Sequence, residues 1–405
     1  MIVKKLLGDI TVTKDLVLLL IIGGLYNLSV ALSNTFVNVY LWKQSQSFYA
    51  LGIYNITTVI VQPIVFIFAG KLVKVIDRVF VLKLGVLFLA LFYLTVLYTG
   101  ESASEYIIVL GSILGIGYGF FWLAYNLLTF EITDPENRDF FNGFSGIMSS
   151  VGGMIGPFLA GFIITNTIGD KGYHFIFTVS MFFFAVAIVL SFFFSRRPAH
   201  GAYYFWRIIQ ERRNNFNWRK ITTAHICQGL REGTFLFVIS VFLFVSTGSE
   251  TSLGTFGLIN SGIGLVTYYA ASRFIKKEYR NQSILIGAVG LLVSIVLVVW
   301  NVTYIKLLMY GVSIAIFYPL LLVPYYSLTY DIIGQSWKAA EMRVEYIVVR
   351  EVFLNIGRII SIFFFLICIS LFDIETVLPY ILIILGCAYI LLYLNIRGIK
   401  LERKR

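Results

Sequence analysis

The sequence predicts an all-α integral membrane protein of twelve transmembrane helices, arranged as two parallel six-helix repeats. Three observations carry this reading. Of 405 residues, 59% are apolar and only 13% charged, whereas a soluble domain carries about a quarter charged residues, so hydrocarbon is the main solvent. A membrane-crossing helix needs roughly 20 mostly apolar residues, and twelve such stretches with short joints account for the chain. The longest stretch unfit for hydrocarbon, residues 196–220, sits centrally and holds seven Lys or Arg against the single acid Glu211. The chain therefore divides into a six-helix bundle over 1–195, a basic connector over 196–220 and a second six-helix bundle over 221–405. Met1 to Lys14 leads directly into a full span with no small-residue cleavage site, so a cleaved leader is not expected.

The net charge of +11 follows topology rather than nucleic acid. Of 32 Lys and Arg, 26 fall on the connector's side, three (Lys43, Lys171, Lys306) fall opposite, and Arg231, Arg350 and Arg358 lie within spans. This asymmetry puts the connector and both termini in the cytoplasm, and the basic face meets the lipid bilayer. Cys227, Cys368 and Cys387 lie inside spans without paired spacing, so no disulfide, metal site or cofactor is expected. No nucleophile–base or phosphate-loop spacing occurs, which argues against an enzyme.

The spans differ in what they carry. The first holds Asn27, Asn34 and Asn38 on one helical face; amides in lipid need partners, so this face points to neighbouring helices or to a wet cavity. The second contains Asn55, Gln62 and Pro63 and ends in the basic turn at Lys74–Arg78. The third is nearly featureless and faces lipid. The fourth aligns Tyr118, Trp122, Tyr125, Asn126 and Thr129 in one stripe, read as a cavity wall against the alternative of packing. The fifth contains GGMIGPFLAG from Gly152 to Gly161, whose small residues permit close helix approach and whose Pro157 bends it. The sixth is rich in Phe and bland.

In the second half, the seventh span is the most polar: His225, Gln228 and Glu232 share a face, with Arg231 beside them. The eighth aligns Gly254, Gly257, Ser261 and Gly264; the tenth carries Tyr310, Tyr318, Pro319, Pro324, Tyr325 and Tyr326. The eleventh holds Arg350, Glu351, Asn355 and Arg358, while the ninth and twelfth are plain. Five ionisable groups thus lie at depth, each costing about 2.5 to 3.5 kcal/mol at a helix centre, so some must pair. An offset of 205 lays Gly24-Leu25 on Gly229-Leu230, Ser47 on Ser252, Gly52 on Gly257 and Asn55 on Asn260. An offset of 200 lays LTFEI (128–132) on LTYDI (328–332). Six helices per unit keep the two repeats parallel.

Two parallel six-helix halves around a basic loop resemble the major facilitator superfamily over essentially the whole chain. GGMIGPFLAG is similar to that family's fifth-helix motif, G-x-x-x-G-P-x-x-G-G, which is associated with exporting antiporters; Gly152, Gly156, Pro157 and Gly161 match, and Ala160 replaces a glycine. GKLVKVIDR from Gly70 only partly resembles the family loop G-x-L-x-D-R-x-G-R. Gly70, Leu72 and Arg78 keep their places, but Lys74 stands at the aspartate and Asp77 at the second glycine. The phrases SNTFVNVYLWKQS, WLAYNLLTFEIT, RDFFNGF and QGLREGTF resemble the YqgE-type transporters of bacilli, which implies a bacterial cytoplasmic membrane and adds no chemistry.

The resemblance implies a secondary transporter working by alternating access, with proton-coupled export of a small molecule as the first reading. Uptake of an anion by symport, movement of a lipid-like amphiphile, Na⁺ in place of the proton, and a non-transporting sensor or scaffold stay open. It also implies that spans one, four, seven and ten line a cavity, with two, five, eight and eleven beside them. Candidate substrate residues are then Asn27, Asn34, Asn38, Trp122, Asn126, Gln228, Arg231, Tyr326, Arg350, Asn355 and Arg358. Glu232, then Glu351, is the candidate proton carrier, and Arg358 the candidate to hold an anion or a carboxylate; the bland alternative is static ion pairs. Arg231 would work against Glu232 by favouring its ionised form, and His225 is expected to make a helix-end hydrogen bond. Asp77, Arg78, Glu131, Arg280 and Asp331 read as two equivalent cytoplasmic latches. Gly152, Gly156, Pro157 and Gly161, with the eighth-span strip, read as the sliding contact of the halves. A monomer is expected.

Overall fold

The helices start and stop where local chemistry directs. The computed structural model describes residues 13–132, 138–195, 201–299 and 303–399; the loop 133–137 and both chain ends lie outside them. Helices α1 (Lys14–Ser45), α2 (Phe48–Val75), α3 (Arg78–Thr99), α4 (Ile107–Ile132), α5 (Arg138–Thr165) and α6 (Lys171–Ser191) make the first half. A short α7 (Phe205–Asn214) lies in the connector. The second half comprises α8 (Phe216–Thr247), α9 (Glu250–Phe274), α10 (Arg280–Ser294) continued by α11 (Val296–Val299), α12 (Tyr304–Gln335), α13 (Arg343–Leu371), and α14 (Ile374–Gly386) continued by α15 (Ala388–Ile396). Among the described residues, eleven helices are long and apolar enough to cross a membrane; α9, the twelfth span expected, is diluted by its small and polar residues.

Side-chain caps satisfy the amides that each helix start leaves free: Ser47 for α2, Asp77 for α3, Asn215 for α8, Ser249 for α9 and Thr303 for α12. The joints also reveal the internal repeat. Helix α1 ends on left-handed Gln46 and α2 is capped by Ser47, while α8 ends on left-handed Gly248 and α9 is capped by Ser249. The halves therefore correspond here at an offset of 202, which pairs Ser47 with Ser249 rather than with Ser252. Side-chain matching had found a local coincidence; the caps mark the true equivalence because they answer to backbone geometry.

Between the halves, α2 packs on α13, α5 on α9 and, less extensively, α1 on α8. Helix α3 packs on α4 and α6 and leaves Phe80, Leu87, Leu91 and Leu94 exposed along one side, as a lipid-facing span should.

A cavity beside a buried ion pair

Three glycines set how closely α8 and α13 approach. A side chain at Gly229 would run into the Leu354 carbonyl and the Arg358 amide, and one at Gly233 into the Arg358 carbonyl. Opposite them, Gly357 leaves no room before the Ile226 carbonyl. Helices α8 and α13 therefore touch backbone to backbone, pinned further by Thr234 and Ser361, whose hydroxyls lie 2.9 Å apart. This approach carries Arg358 to Glu232: Arg358 Nη2 donates to Glu232 Oε2 at 2.6 Å and Nε to the same oxygen at 3.2 Å.

The other Glu232 oxygen accepts from Gln228 Nε2 at 2.8 Å and from the Tyr318 hydroxyl at 3.1 Å. Because a carboxylate only accepts, the Gln228 amide nitrogen must face it, and the Gln228 oxygen faces His225 Nδ1 at 3.0 Å. That oxygen also only accepts, so His225 carries its proton on Nδ1. Gln228 Nε2 further donates to the Tyr326 hydroxyl at 3.0 Å, and His225 Nε2 lies 3.4 Å from Thr329 Oγ1. His225 is thus a buried member of a polar chain and not the helix-end hydrogen bond expected, because α8 begins at Phe216, more than two turns earlier.

Arg231 and Glu232 diverge although adjacent, since consecutive helical residues point about 100° apart. Arg231 is 6% exposed. Its Nη2 donates to the Tyr310 hydroxyl at 2.9 Å, its guanidinium carbon lies 3.1 Å above the Phe235 ring centre and 5.8 Å from that of Tyr389, and its Nε has no partner. Among the described residues no carboxylate lies within ion-pair distance of it. Glu351 instead pairs with its neighbour Arg350, which also donates to the Tyr330 hydroxyl at 3.3 Å. Asn355 Nδ2 donates to the Glu351 carbonyl at 2.9 Å.

Arg231 and Glu232 line a cavity of about 570 Å³ bounded by α1, α5, α8, α9 and α12, with Leu291 and Tyr389 from outer helices. Asn34 is in its wall; Asn27, Asn38, Trp122, Asn126, Gln228, Tyr326, Arg350, Asn355 and Arg358 are not. The fourth-span stripe packs instead on α1: Trp122 meets Tyr26 edge-on at 5.1 Å, and Tyr118 donates to Asn34 Oδ1 at 3.3 Å. Asn126 is half-buried one turn further along. Asn38 is tied to the Asn34 carbonyl and to Asn55, and Asn27 borders Gly152.

The small-residue motif of α5 serves two neighbours. Gly152 and Gly156 face Leu28 and Ala31 of α1, inside the first half, whereas Pro157 and Gly161 face α9 at Gly254, Gly257 and Glu250. The contact between halves is thus Gly153, Pro157 and Gly161 against Gly254, Gly257 and Ser261. It does not continue toward the connector, where Gly146 and Gly264 border open space.

Ionic contacts close both ends. On the connector's side, Lys74 of α2 meets Glu345 of α13 at 2.5 Å and also donates to the Ala202 and Glu341 carbonyls at 3.1 and 3.3 Å. The Tyr204 amide donates to the same Glu345 oxygen at 3.1 Å; nearby, burial and this carboxylate push the Tyr203 phenol up. At the far end Lys43 of α1 meets Glu250 of α9 at 3.2 Å, and Glu250 accepts from the Tyr173 hydroxyl at 2.8 Å. The expected latches form differently. Arg78 pairs with Glu131, and Arg280 with Asp331 at 2.7 Å, but each pair stays within one half, and Asp77 caps α3 through the Val79 amide. Of these bridging residues, Lys43 had been read for orientation and Lys74 as a departure from the family loop, while Glu250 and Glu345 carried no reading, because nothing in their sequence spacing reports pairing.

The profile of the Major Facilitator Superfamily matches residues 16–361. The chain belongs to the major facilitator superfamily. Within it, the chain is 54% identical over 401 residues to the uncharacterized protein YqgE of Bacillus subtilis (strain 168), covering 99% of this chain and 93% of that one. It is 59% identical over 174 residues to an uncharacterized protein from the sodM 3′ region of Geobacillus stearothermophilus, covering 43% and 81%. Its fold is that of solved superfamily members. The D-xylose–proton symporter superposes with a TM-score of 0.70 at 15% identity over 96% of this chain and 99% of that one. The E. coli fucose:proton symporter superposes at 0.65 and 16% identity over 94% and 97%. This superfamily chain is therefore a multi-span membrane protein with a transporter fold.

Proposed function

We propose that this protein is a proton-coupled secondary transporter that carries a small molecule by alternating access, with Glu232 as the proton carrier. The observation that carries the reading is the Glu232–Arg358 pair at the edge of the cavity. A carboxylate held by two guanidinium bonds and two neutral donors is discharged only by protonation, and its discharge frees Arg358. Charge at depth is costly unless paired, so loading and unloading this proton shifts the balance between states of the cavity. Residues 1–195 and 221–405 rock as two units, with the connector and both termini in the bacterial cytoplasm, as the basic-residue asymmetry favours. Lys74–Glu345 then closes the cytoplasmic side, and Lys43–Glu250 the outer side.

Symport is favoured over export by exchange. The motif behind the export reading is occupied with helix packing against α1 and α9, which says nothing of direction. The proteins of similar fold are a D-xylose–proton symporter and a fucose:proton symporter. The coupling group is tested without knowing the substrate. Infrared difference spectra of the purified protein between acid and alkaline buffer should contain a protonated-carboxyl band that is absent in Glu232→Gln. A spectrum unchanged by that substitution removes Glu232 from the mechanism.

A further inference from the structure

The five charges at depth do not sum to zero. Glu232 neutralises Arg358 and Glu351 neutralises Arg350, which leaves Arg231 with a tyrosine hydroxyl, two aromatic faces and a nitrogen that bonds nothing. A buried cation is retained where something of opposite charge completes it, and Arg231 lines the cavity. A volume of about 570 Å³ lies within the span of small-molecule sites, roughly 300 to 1,000 Å³. The walls add Asn34 and Ser261 as polar partners and Phe256 and Tyr268 as apolar faces.

Resting on the proton-coupled reading above, we infer that the cavity takes a small organic anion whose carboxylate or phosphate is held by Arg231, and that this anion binds together with a proton on Glu232. The coupling follows from the charges facing Glu232. Arg358 reaches it from α13, while Arg231 and His225 stand on its own helix. Tyr318 of α12 bonds it directly, Tyr326 of the same helix reaches it through Gln228, and Tyr268 of α9 and Tyr389 of α15 line the same cavity. Ionised Glu232 leaves the cavity with one uncompensated positive charge; protonated Glu232 adds that of Arg358. Proton and anion therefore reinforce one another, whereas a neutral substrate would feel neither charge.

The test uses matched probes on the full-length protein: D-galacturonate against D-galactose, benzoate against benzyl alcohol, and glycerol 3-phosphate against glycerol. Calorimetry in weakly buffered solution reports binding and proton movement together. The inference expects an anion to bind better than its neutral partner, with proton uptake and tighter binding in acid than in alkaline buffer. Arg231→Gln should weaken the anion about 10- to 100-fold, the size of a lost charged hydrogen bond, and leave neutral partners unaffected. Arg231→Lys, which keeps the charge but not the planar fork, should recover part of the affinity and shows whether a loss in Arg231→Gln is mere misfolding. Equal binding of neutral and anionic partners, or anion binding unchanged in Arg231→Gln, overturns the inference, as does a panel in which no anion binds. Anion binding that moves no proton, in wild type and Glu232→Gln alike, keeps the anion site and refutes the coupling reading instead. Nanodiscs of phosphatidylcholine with and without phosphatidylglycerol distinguish the source of the anion. Loss of probe binding only with phosphatidylglycerol assigns the site to a lipid phosphate, and equal binding in both assigns it to a soluble anion.

Discussion

Removing the Lys74 ammonium should release the connector end of the molecule. Lys74 satisfies all three of its donors there, on Glu345, Ala202 and Glu341, and the Glu345 side chain is fully buried. Lys74→Met therefore leaves a carboxylate in the contact between halves with the Tyr204 amide as its remaining hydrogen bond. Breaking a buried pair from one side costs about 3 to 5 kcal/mol. Taking the lower value, the closed connector side loses about a hundredfold in population relative to a state in which α2 and α13 separate and water reaches Glu345. The assay is maleimide labelling of a single cysteine at Ser261, in a background lacking Cys227, Cys368 and Cys387, with reagent confined to one side of sealed vesicles. Labelling from the connector's side should rise by one to two orders of magnitude in Lys74→Met and fall back when Glu345→Gln is added, because the stranded charge is then gone. Unchanged labelling in Lys74→Met, or no recovery in the double variant, would refute the assignment of this pair as the latch.

Other outcomes follow from the same geometry. Glu131→Gln and Asp331→Asn should leave labelling from both sides unaltered, since their partners lie in the same half and such part-exposed pairs contribute about 1 kcal/mol or less; a shift in accessibility would restore them as gates. Gly229→Ala should lower thermal stability by about 1 to 3 kcal/mol through overpacking and, by forcing α8 from α13, abolish the Glu232 infrared response; a normal spectrum in that variant would show that the backbone contact does not set the ion pair. Glu250→Gln should loosen the far end and raise labelling at Ser261 from that side; labelling raised from the connector's side instead would reverse the assignment of the two ends.

Much of the architecture was legible because membrane folding has few solutions. Hydrocarbon demands helices of fixed length, so twelve spans, the central basic break and the parallel repeat could be read from residue type alone. The polar groups of the proposed site were legible too, since Glu232, Arg231 and Arg358 are conspicuous in an apolar context. Their partners were not. Arg358 lies 126 positions from Glu232, and only the glycines at 229, 233 and 357 bring them together. Of those glycines only Gly229 had been read, as one half of a repeat match rather than as part of a seam. The same blindness attached to Lys74, seen as a departure from a motif, and to Trp122, whose stripe has the same period whether it lines water or packs on Tyr26. Periodicity reports which face is special and is silent about what that face meets.

The two flanks between the halves are unlike, and the rocking proposed above would be lopsided for it. Along α5 and α9 the surfaces meet mostly through glycine, proline and serine, with the Thr165 and Thr251 hydroxyls 2.9 Å apart at the far end, so few side-chain rotors mesh and one surface turns on the other at little cost, like a bearing. Along α2 and α13 the ionic fastening among the described residues is Lys74, whose bonds take in the backbone of the connector itself. The tether that joins the halves in sequence is thereby woven into the bolt that holds them shut, and neither end of that knot can loosen alone. The molecule is hung on one edge and bolted on the other, so it should open by swinging, in one abrupt step, rather than by parting evenly down the middle.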